Sequence, residues 1–132
     1  MRDILYVAAA ADNKIFGVTN ASTRSSNNGA GFVVFSDQQH LHGPLGLVLA
    51  PNGDLITANG DAQNPGGTQN DLLEFTPQGF LVATYQLDAA APGAAFGLAI
   101  SGPINSFFGA VRFAASDDDL NTLTIWSLPL IF

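Results

Sequence analysis

The sequence contains no cysteine and only four basic residues among 132. Without cysteine, the chain cannot form a disulfide, a thiolate metal site or a cysteine nucleophile. Charged residues make up 11% of the sequence and the net charge is −7. Because nucleic acids and anionic membranes require clustered Lys and Arg, this composition argues against both as partners. A surface so poor in charge must be largely neutral and rich in Asn, Gln, Ser and Thr, or must contact something else, which makes assembly or a larger parent protein a candidate explanation.

Long hydrophobic runs are also missing. The apolar run at 4–11 is far shorter than the roughly 20 residues that cross a bilayer. Asp3 precedes this run, no basic region leads it, and Asp12 follows at once. We therefore see no signal peptide or transmembrane segment in the sequence, and we predict a β-strand here.

No stretch holds apolar residues at helical spacing for three turns. The apolar segments are short, rich in Val, Ile, Leu and Phe, and separated by clusters of Gly, Pro, Asn, Asp and Ser. This pattern predicts an all-β fold. The ten predicted strands are Ile4–Ala10, Ile15–Asn20, Gly31–Ser36, Leu45–Ala50, Leu55–Asn59, Leu72–Phe75, Phe80–Leu87, Phe96–Ile100, Ala110–Ala114 and Leu123–Leu128.

The sequence repeats itself with a period near 50. Asp3-Ile4-Leu5 recurs 51 positions later as Asp54-Leu55-Ile56, and Gly46-Leu47 recurs at the same distance as Gly97-Leu98. Each repeat holds up to four strand signals, and a period of this length with four strands is typical of β-propeller blades.

One segment carries a more specific pattern. It runs from His42-Gly43-Pro44 through Gly46-Leu47 and Pro51-Asn52-Gly53 to a strand that ends at Asn59. This segment resembles the NHL repeat, which implies blades of a six-bladed β-propeller. The architecture is shared by calcium-dependent lactonases of the gluconolactonase and SMP-30 type. The Pro-Asn-Gly sequence independently predicts a tight turn, because Pro fixes φ and Asn-Gly accepts positive φ.

That turn joins the two innermost strands of a blade, A and B, and so sets the register of the whole chain. The single domain then divides into units 3–44, 45–95 and 96–128. The first unit supplies strands B, C and D, the second all four strands, and the third A, B and C. About two and a half blades cannot close a ring and would leave unpaired strand edges. We therefore expect a homo-oligomer, a part of a longer propeller, or an unusual compact sheet.

The register also sorts the polar residues. Loops B–C and D–A share one face of the predicted ring, where the resemblance implies that ligand and metal sites lie. The residues predicted to hold a metal there are Asp12, Asp61, Asp117, Asp119 and Asn121. The acidic turn 117–121 places oxygen atoms at alternate positions, which suits Ca²⁺. The alternative is a solvated acidic turn that simply ends a strand.

The two histidines of the chain, His40 and His42, fall in the first D–A loop. One of them, or Asp61, could act as a general base, because a histidine exchanges its proton near neutral pH. The alternative is a surface or capping role for each. Their alternate spacing predicts side chains on opposite sides, so they are not expected to share a metal.

Two functions follow from these observations. The first is a Ca²⁺-dependent hydrolase of the lactonase or esterase type, acting on a small neutral ester or lactone. Its metal would polarise the substrate carbonyl and activate water, so that no serine or cysteine nucleophile is required. The second is a non-catalytic NHL-like module that binds protein or carbohydrate, or completes a larger propeller.

Overall fold

The computed structural model describes residues 3–27, 29, 31–60, 70–88, 93–102 and 111–128. Within these residues the chain forms ten β-strands and no helix, which confirms the all-β prediction. The strands are β1 (Ile4–Ala9), β2 (Lys14–Thr19), β3 (Phe32–Phe35), β4 (Pro44–Leu49), β5 (Leu55–Asn59), β6 (Leu72–Phe75), β7 (Leu81–Tyr85), β8 (Ala95–Ser101), β9 (Val111–Asp117) and β10 (Thr122–Leu128).

The strands form three antiparallel sheets in chain order. Sheet I contains β1-β2-β3, sheet II contains β4-β5-β6-β7, and sheet III contains β8-β9-β10. This grouping of three, four and three strands is the one expected from the repeat. The predicted turn at Pro51-Asn52-Gly53 joins β4 to β5, where Gly53 has a φ of 93° and its N–H donates to Ala50 O over 2.9 Å.

Sheet II lies between the other two sheets, and its central strands β5 and β6 are largely buried, whereas β7 is exposed along its length. One hydrophobic cluster joins sheets I and II and includes Ile15, Val34, Phe35, Leu41, Leu55, Leu73 and Phe75. A second cluster joins sheets II and III and includes Ala58, Leu72, Ala95, Phe113 and Ala115. Because β5 and β6 contribute to both clusters, they contain consecutive apolar residues instead of a polar–apolar alternation.

Aromatic pairs lie at both interfaces between sheets. Phe35 stacks on Phe75 between sheets I and II. Between sheets II and III, the ring of Trp126 meets Tyr85 edge-on. Within sheet III, Trp126 also stacks on Phe113, its partner on the neighbouring strand. The prediction that Phe113 and Trp126 fill the core is therefore correct, while Phe107 and Phe108 lie outside the described residues.

Sheets I and III each have one face that no other sheet covers within the described residues. On sheet I, this outer face is apolar and is formed by Leu5, Val7, Phe16, Val18 and Val33, which the strand register places side by side. On sheet III, the outer face contains Ala99, Ala114, Leu123 and Ile125, together with Ser116 opposite Leu123 and the exposed Arg112 opposite Ser127. Strands β1 and β10 lie at sheet edges.

Across the described ranges, no helix has the length and apolarity needed to cross a membrane.

Candidate functional site: the loop face

Five connections between strands form one rim of the molecule, which we call the loop face. They are the β1–β2, β3–β4, β5–β6, β7–β8 and β9–β10 connections. Side chains from the β1–β2 turn and from the end of β5 bond to the β3–β4 connection. A side chain of the β5–β6 connection and a backbone group of the β9–β10 connection bond to the β7–β8 connection. These bonds bring together the loops that the strand register predicted on one face.

Asn13 ties the β1–β2 turn to the β3–β4 connection. Its Nδ2 donates to Leu41 O over 2.6 Å, and its Oδ1 accepts the N–H of Gly43 over 2.8 Å. The residue has a φ of 52°, a left-handed conformation that asparagine tolerates better than most side chains. Asn13 therefore closes a turn and at the same time satisfies backbone groups of a distant loop.

Asn59 does the same from the end of β5, and its side chain is fully buried. Its Nδ2 donates to His40 O over 2.8 Å and to Asn70 O over 2.5 Å. Its Oδ1 accepts the N–H of His42 over 2.9 Å. Because these bonds all join the amide to backbone atoms, the side chain holds the β3–β4 connection in place.

Asp71 holds the β7–β8 connection in place. It was not among the predicted site residues. Its carboxylate is fully buried and accepts the N–H groups of Leu87 over 2.6 Å, Asp88 over 3.0 Å and Gly93 over 2.9 Å. The signal in the sequence is an acidic residue directly before an apolar strand and after a Gly- and Asn-rich segment. Three N–H donors compensate for the desolvation of this carboxylate.

Asp37 and His40 form a side-chain pair in the β3–β4 connection. His40 Nδ1 lies 2.7 Å from Asp37 Oδ2, and both side chains are about three-quarters buried. Asp37 Oδ1 also accepts the backbone N–H groups of Gln39 over 2.8 Å and His40 over 3.2 Å. Burial raises the pKa of Asp37, but the hydrogen bonds from the His40 ring and these N–H groups outweigh it and hold the pKa below its usual value.

The ring of His42 has a different hydrogen-bond partner. Its Nε2 lies 3.2 Å from Gln39 O, whereas the His40 ring is held by the Asp37 carboxylate. The two imidazoles thus have separate partners.

The acidic turn between β9 and β10 begins with a buried side chain. Asp117 is only 3% exposed, and its Oδ1 accepts the N–H of Leu120 over 2.9 Å, which closes the turn. Asp119 and Asn121 are exposed, and Asn121 has a φ of 53°. The turn therefore has a structural explanation through Asp117, and Asp119 and Asn121 face solvent.

The other predicted metal ligands are not gathered around this turn. Asp12 is exposed in the β1–β2 turn, and Asp61 lies outside the described residues. Among the residues that the structure describes, no group of three or more His, Cys, Asp or Glu side chains could hold a metal ion. The Ca²⁺ site stays a prediction.

An apolar groove of about 810 Å³ opens at the rim opposite the loop face. It lies between β1 and β4, next to the turn at Gly53, and its lining includes Tyr6, Phe32, Leu47 and Leu49. None of the predicted catalytic or metal-binding residues lines it.

Comparison of the chain with protein-family models, with curated proteins and with solved structures found no match.

Proposed function

We propose that the protein is a non-catalytic interaction module of propeller-type architecture, and that it binds protein through the outer faces of sheets I and III. The observation that carries the proposal is the exposure of these faces. Leu5 and Val33 on sheet I are 55% and 49% exposed, and Leu123 and Ile125 on sheet III are 62% and 58% exposed. Contiguous exposed apolar side chains of this kind mark protein-binding surfaces.

The order of the sheets supports the propeller-type arrangement. Sheets I, II and III follow one another in space as in sequence, with β4 in contact with both β1 and β8. Phe75 and Trp126 are 51 positions apart, and each meets an aromatic ring of the preceding sheet.

The loop face supports a structural role for its polar residues. Asn13, Asn59 and Asp71 direct their side chains at backbone groups of neighbouring loops. Asp117 closes its own turn. Groups already bound to backbone are poor candidates for holding a ligand, and this favours the sheet faces as the functional surface. Their apolar character favours protein over carbohydrate as the partner.

A second candidate function is the Ca²⁺-dependent lactonase or esterase. The observation in its favour is the pairing of His40 with Asp37, because a carboxylate bound to Nδ1 orients the imidazole so that Nε2 can accept a proton. In this candidate, Asp117, Asp119 and Asn121 would hold the cation, with Asp12 or Asp61 completing the set. The described residues do not themselves form such a set, so no catalytic step is assigned to the metal.

Hydrolysis of a panel of small lactones and esters separates the two functions. The purified chain is assayed as isolated, after EDTA, and with Ca²⁺ restored, together with His40→Gln and the matched control His42→Gln. We expect no turnover in any metal state and no Ca²⁺-dependent rise in melting temperature. Turnover that is lost with EDTA, restored by Ca²⁺ and abolished by His40→Gln alone would overturn the interaction module in favour of the hydrolase.

A further inference from the structure

We infer that a cleft between sheets II and III binds a small molecule that carries a quaternary ammonium group. The cleft has a volume of about 320 Å³ and is lined by residues of β5, β6, β7, β9 and β10. Its lining brings the aromatic rings of Tyr85, Phe113 and Trp126 together with the carboxylate of Glu74. The site is separate from the outer faces of sheets I and III, so the inference goes beyond the proposed function.

The strand register gathers the part of the lining that comes from sheet II. Glu74 pairs with Ile56 on one neighbouring strand and with Ala83 on the other, and Tyr85 pairs with Leu72. Because side chains alternate along a strand, these five residues share one face of the sheet. Ile56 and Leu72 belong to the hydrophobic cluster that joins sheets II and III, so the shared face is the one that meets sheet III.

The aromatic rings form two adjacent walls of the cleft. Trp126 stacks on Phe113, its partner on the neighbouring strand, with centroids 5.3 Å apart. Tyr85, from sheet II, meets Trp126 at 5.8 Å with the ring planes at 89°. Two rings at right angles leave a corner between them instead of closing on each other. Because the face of an aromatic ring is electronegative, such a corner attracts a cation, and aromatic cages of this kind recognise quaternary ammonium groups.

Glu74 adds a full negative charge to the same cleft. It is the only glutamate of the chain and lies half-buried in β6. Its Oε1 accepts an amide N–H of Asn52 over 3.2 Å, and no Lys, Arg or His among the described residues forms an ion pair with it. No basic side chain lines the cleft. A carboxylate without a cationic partner, in an aromatic cleft, complements a ligand of positive charge.

The rest of the lining favours a methylated cation over other cations. A metal ion needs several oxygen ligands to replace its water, and Glu74 is the only charged side chain in the lining. A quaternary ammonium group has no N–H that needs an acceptor, so apolar side chains such as Ile56 and Ala83 can enclose it. The volume suits a small compound, because ligand pockets start at about 300 Å³.

Titration of the full chain with choline tests the site directly. Trp126 is the only tryptophan of the chain, so its fluorescence reports on the cleft. We expect a saturable change in its emission and a matching isotherm in titration calorimetry. The matched control ligand is the carbon analogue of choline, in which a tert-butyl group replaces trimethylammonium, and it should bind about tenfold more weakly. Equal binding of the two compounds, or no saturable binding of choline by either method, would overturn the inference.

Glu74→Gln isolates the contribution of the charge. It keeps the length of the side chain and an oxygen that can accept from Asn52. We expect choline to bind about tenfold more weakly and the carbon analogue to bind as in the wild type. The matched control, Asp12→Asn, removes one charge from an exposed turn on the loop face and should leave choline binding unchanged. Equal weakening of both ligands by Glu74→Gln would overturn the electrostatic role of Glu74.

Two substitutions at Tyr85 test the aromatic wall. Tyr85→Phe retains the ring and should bind choline like the wild type, whereas Tyr85→Ala should weaken binding about fivefold. The side chain is 53% exposed, and circular dichroism establishes that both variants retain the β-fold. Unchanged binding by Tyr85→Ala would overturn the aromatic cage. Failure of choline to bind would leave the proposed function intact, because none of the exposed side chains of the outer faces lines the cleft.

Discussion

The rings of Phe35 and Phe75 stack across the interface between sheets I and II, with centroids 4.6 Å apart and ring planes at 12°. The pair recurs about 50 positions later, where Tyr85 meets Trp126 at 5.8 Å and 89°. The first pair is stacked and buried, while Tyr85 is 53% exposed. Each interface between sheets thus contains an aromatic pair, but only the pair between sheets I and II is fully buried.

Replacing Phe75 with Ala should lower the free energy of unfolding by about 3–5 kcal/mol, because Phe75 is fully buried and its loss leaves a cavity between two sheets. Urea denaturation followed by circular dichroism measures the change. The control is Phe80→Ala, where the side chain is 70% exposed and the expected loss is below about 0.5 kcal/mol. Equal losses in the two variants would contradict the packing of Phe75 between the sheets.

Asn59→Ala should also destabilise the protein, by about 3 kcal/mol, because it removes the partners of His40 O, Asn70 O and the N–H of His42. Urea denaturation is again the measurement. The matched control is Asn52→Ala, an exposed asparagine whose amide bonds to Asp54 and Glu74. A loss below about 1 kcal/mol for Asn59→Ala would mean that water replaces the amide and that the side chain does not hold the connection.

Asp37→Asn tests the electrostatic role of the Asp37–His40 pair. The pKa of Asp37 is lower in the folded chain than the ordinary value of 3.8, so the ionised carboxylate stabilises the fold at higher pH and this contribution falls away as the pH drops through the folded pKa. We expect wild type to be more stable than Asp37→Asn by about 1 kcal/mol at pH 7. The two unfolding free energies should converge below pH 3.8. A difference that stays constant down to about pH 2 would contradict this assignment, and Asp12→Asn provides an exposed control.

Gly46→Ala tests the close approach of β4 to β8. A Cβ at Gly46 would lie 2.7 Å from Phe96 O and 3.0 Å from Leu98 N, both of which are backbone atoms. The strands would have to separate, and we expect a loss of about 1–3 kcal/mol in thermal or urea unfolding. Its counterpart in the repeat, Gly97, is the control, since a Cβ there would meet only Ser116 Oγ within 4 Å, at 3.1 Å. Equal stability of the two variants would show that the strands adjust without cost.

Strand positions were predictable wherever local chemistry decides them. The Pro51-Asn52-Gly53 turn and the short apolar runs on either side of it predicted β4 and β5 correctly. The prediction for β9 ended at Ala114, but the strand continues to Asp117. Its last residues, Ala115-Ser116-Asp117, have weak strand propensity, and pairing with β8 and β10 overrides that local preference.

The candidate site was predictable in location but not in role. The strand register predicted that the B–C and D–A loops share one face, but it could not show that the amides of Asn13 and Asn59 bind backbone groups of the β3–β4 connection. The role of Asp71 was not predictable for the same reason. Whether a polar side chain binds a ligand or a loop depends on which backbone groups lie within hydrogen-bond distance of it, and those groups come from residues far away in the sequence.

The sequence by itself determined that this protein is made of short antiparallel strands, where its tight turn falls, and that one unit follows another with a period near 50. These features depend on side-chain pattern and turn chemistry over a few residues. Only the tertiary structure decided that Asp117 closes a turn, that Asp37 holds His40, and that apolar faces remain exposed at both ends of the stack. These outcomes depend on the packing of whole sheets against one another, which brings together atoms that the local sequence does not relate.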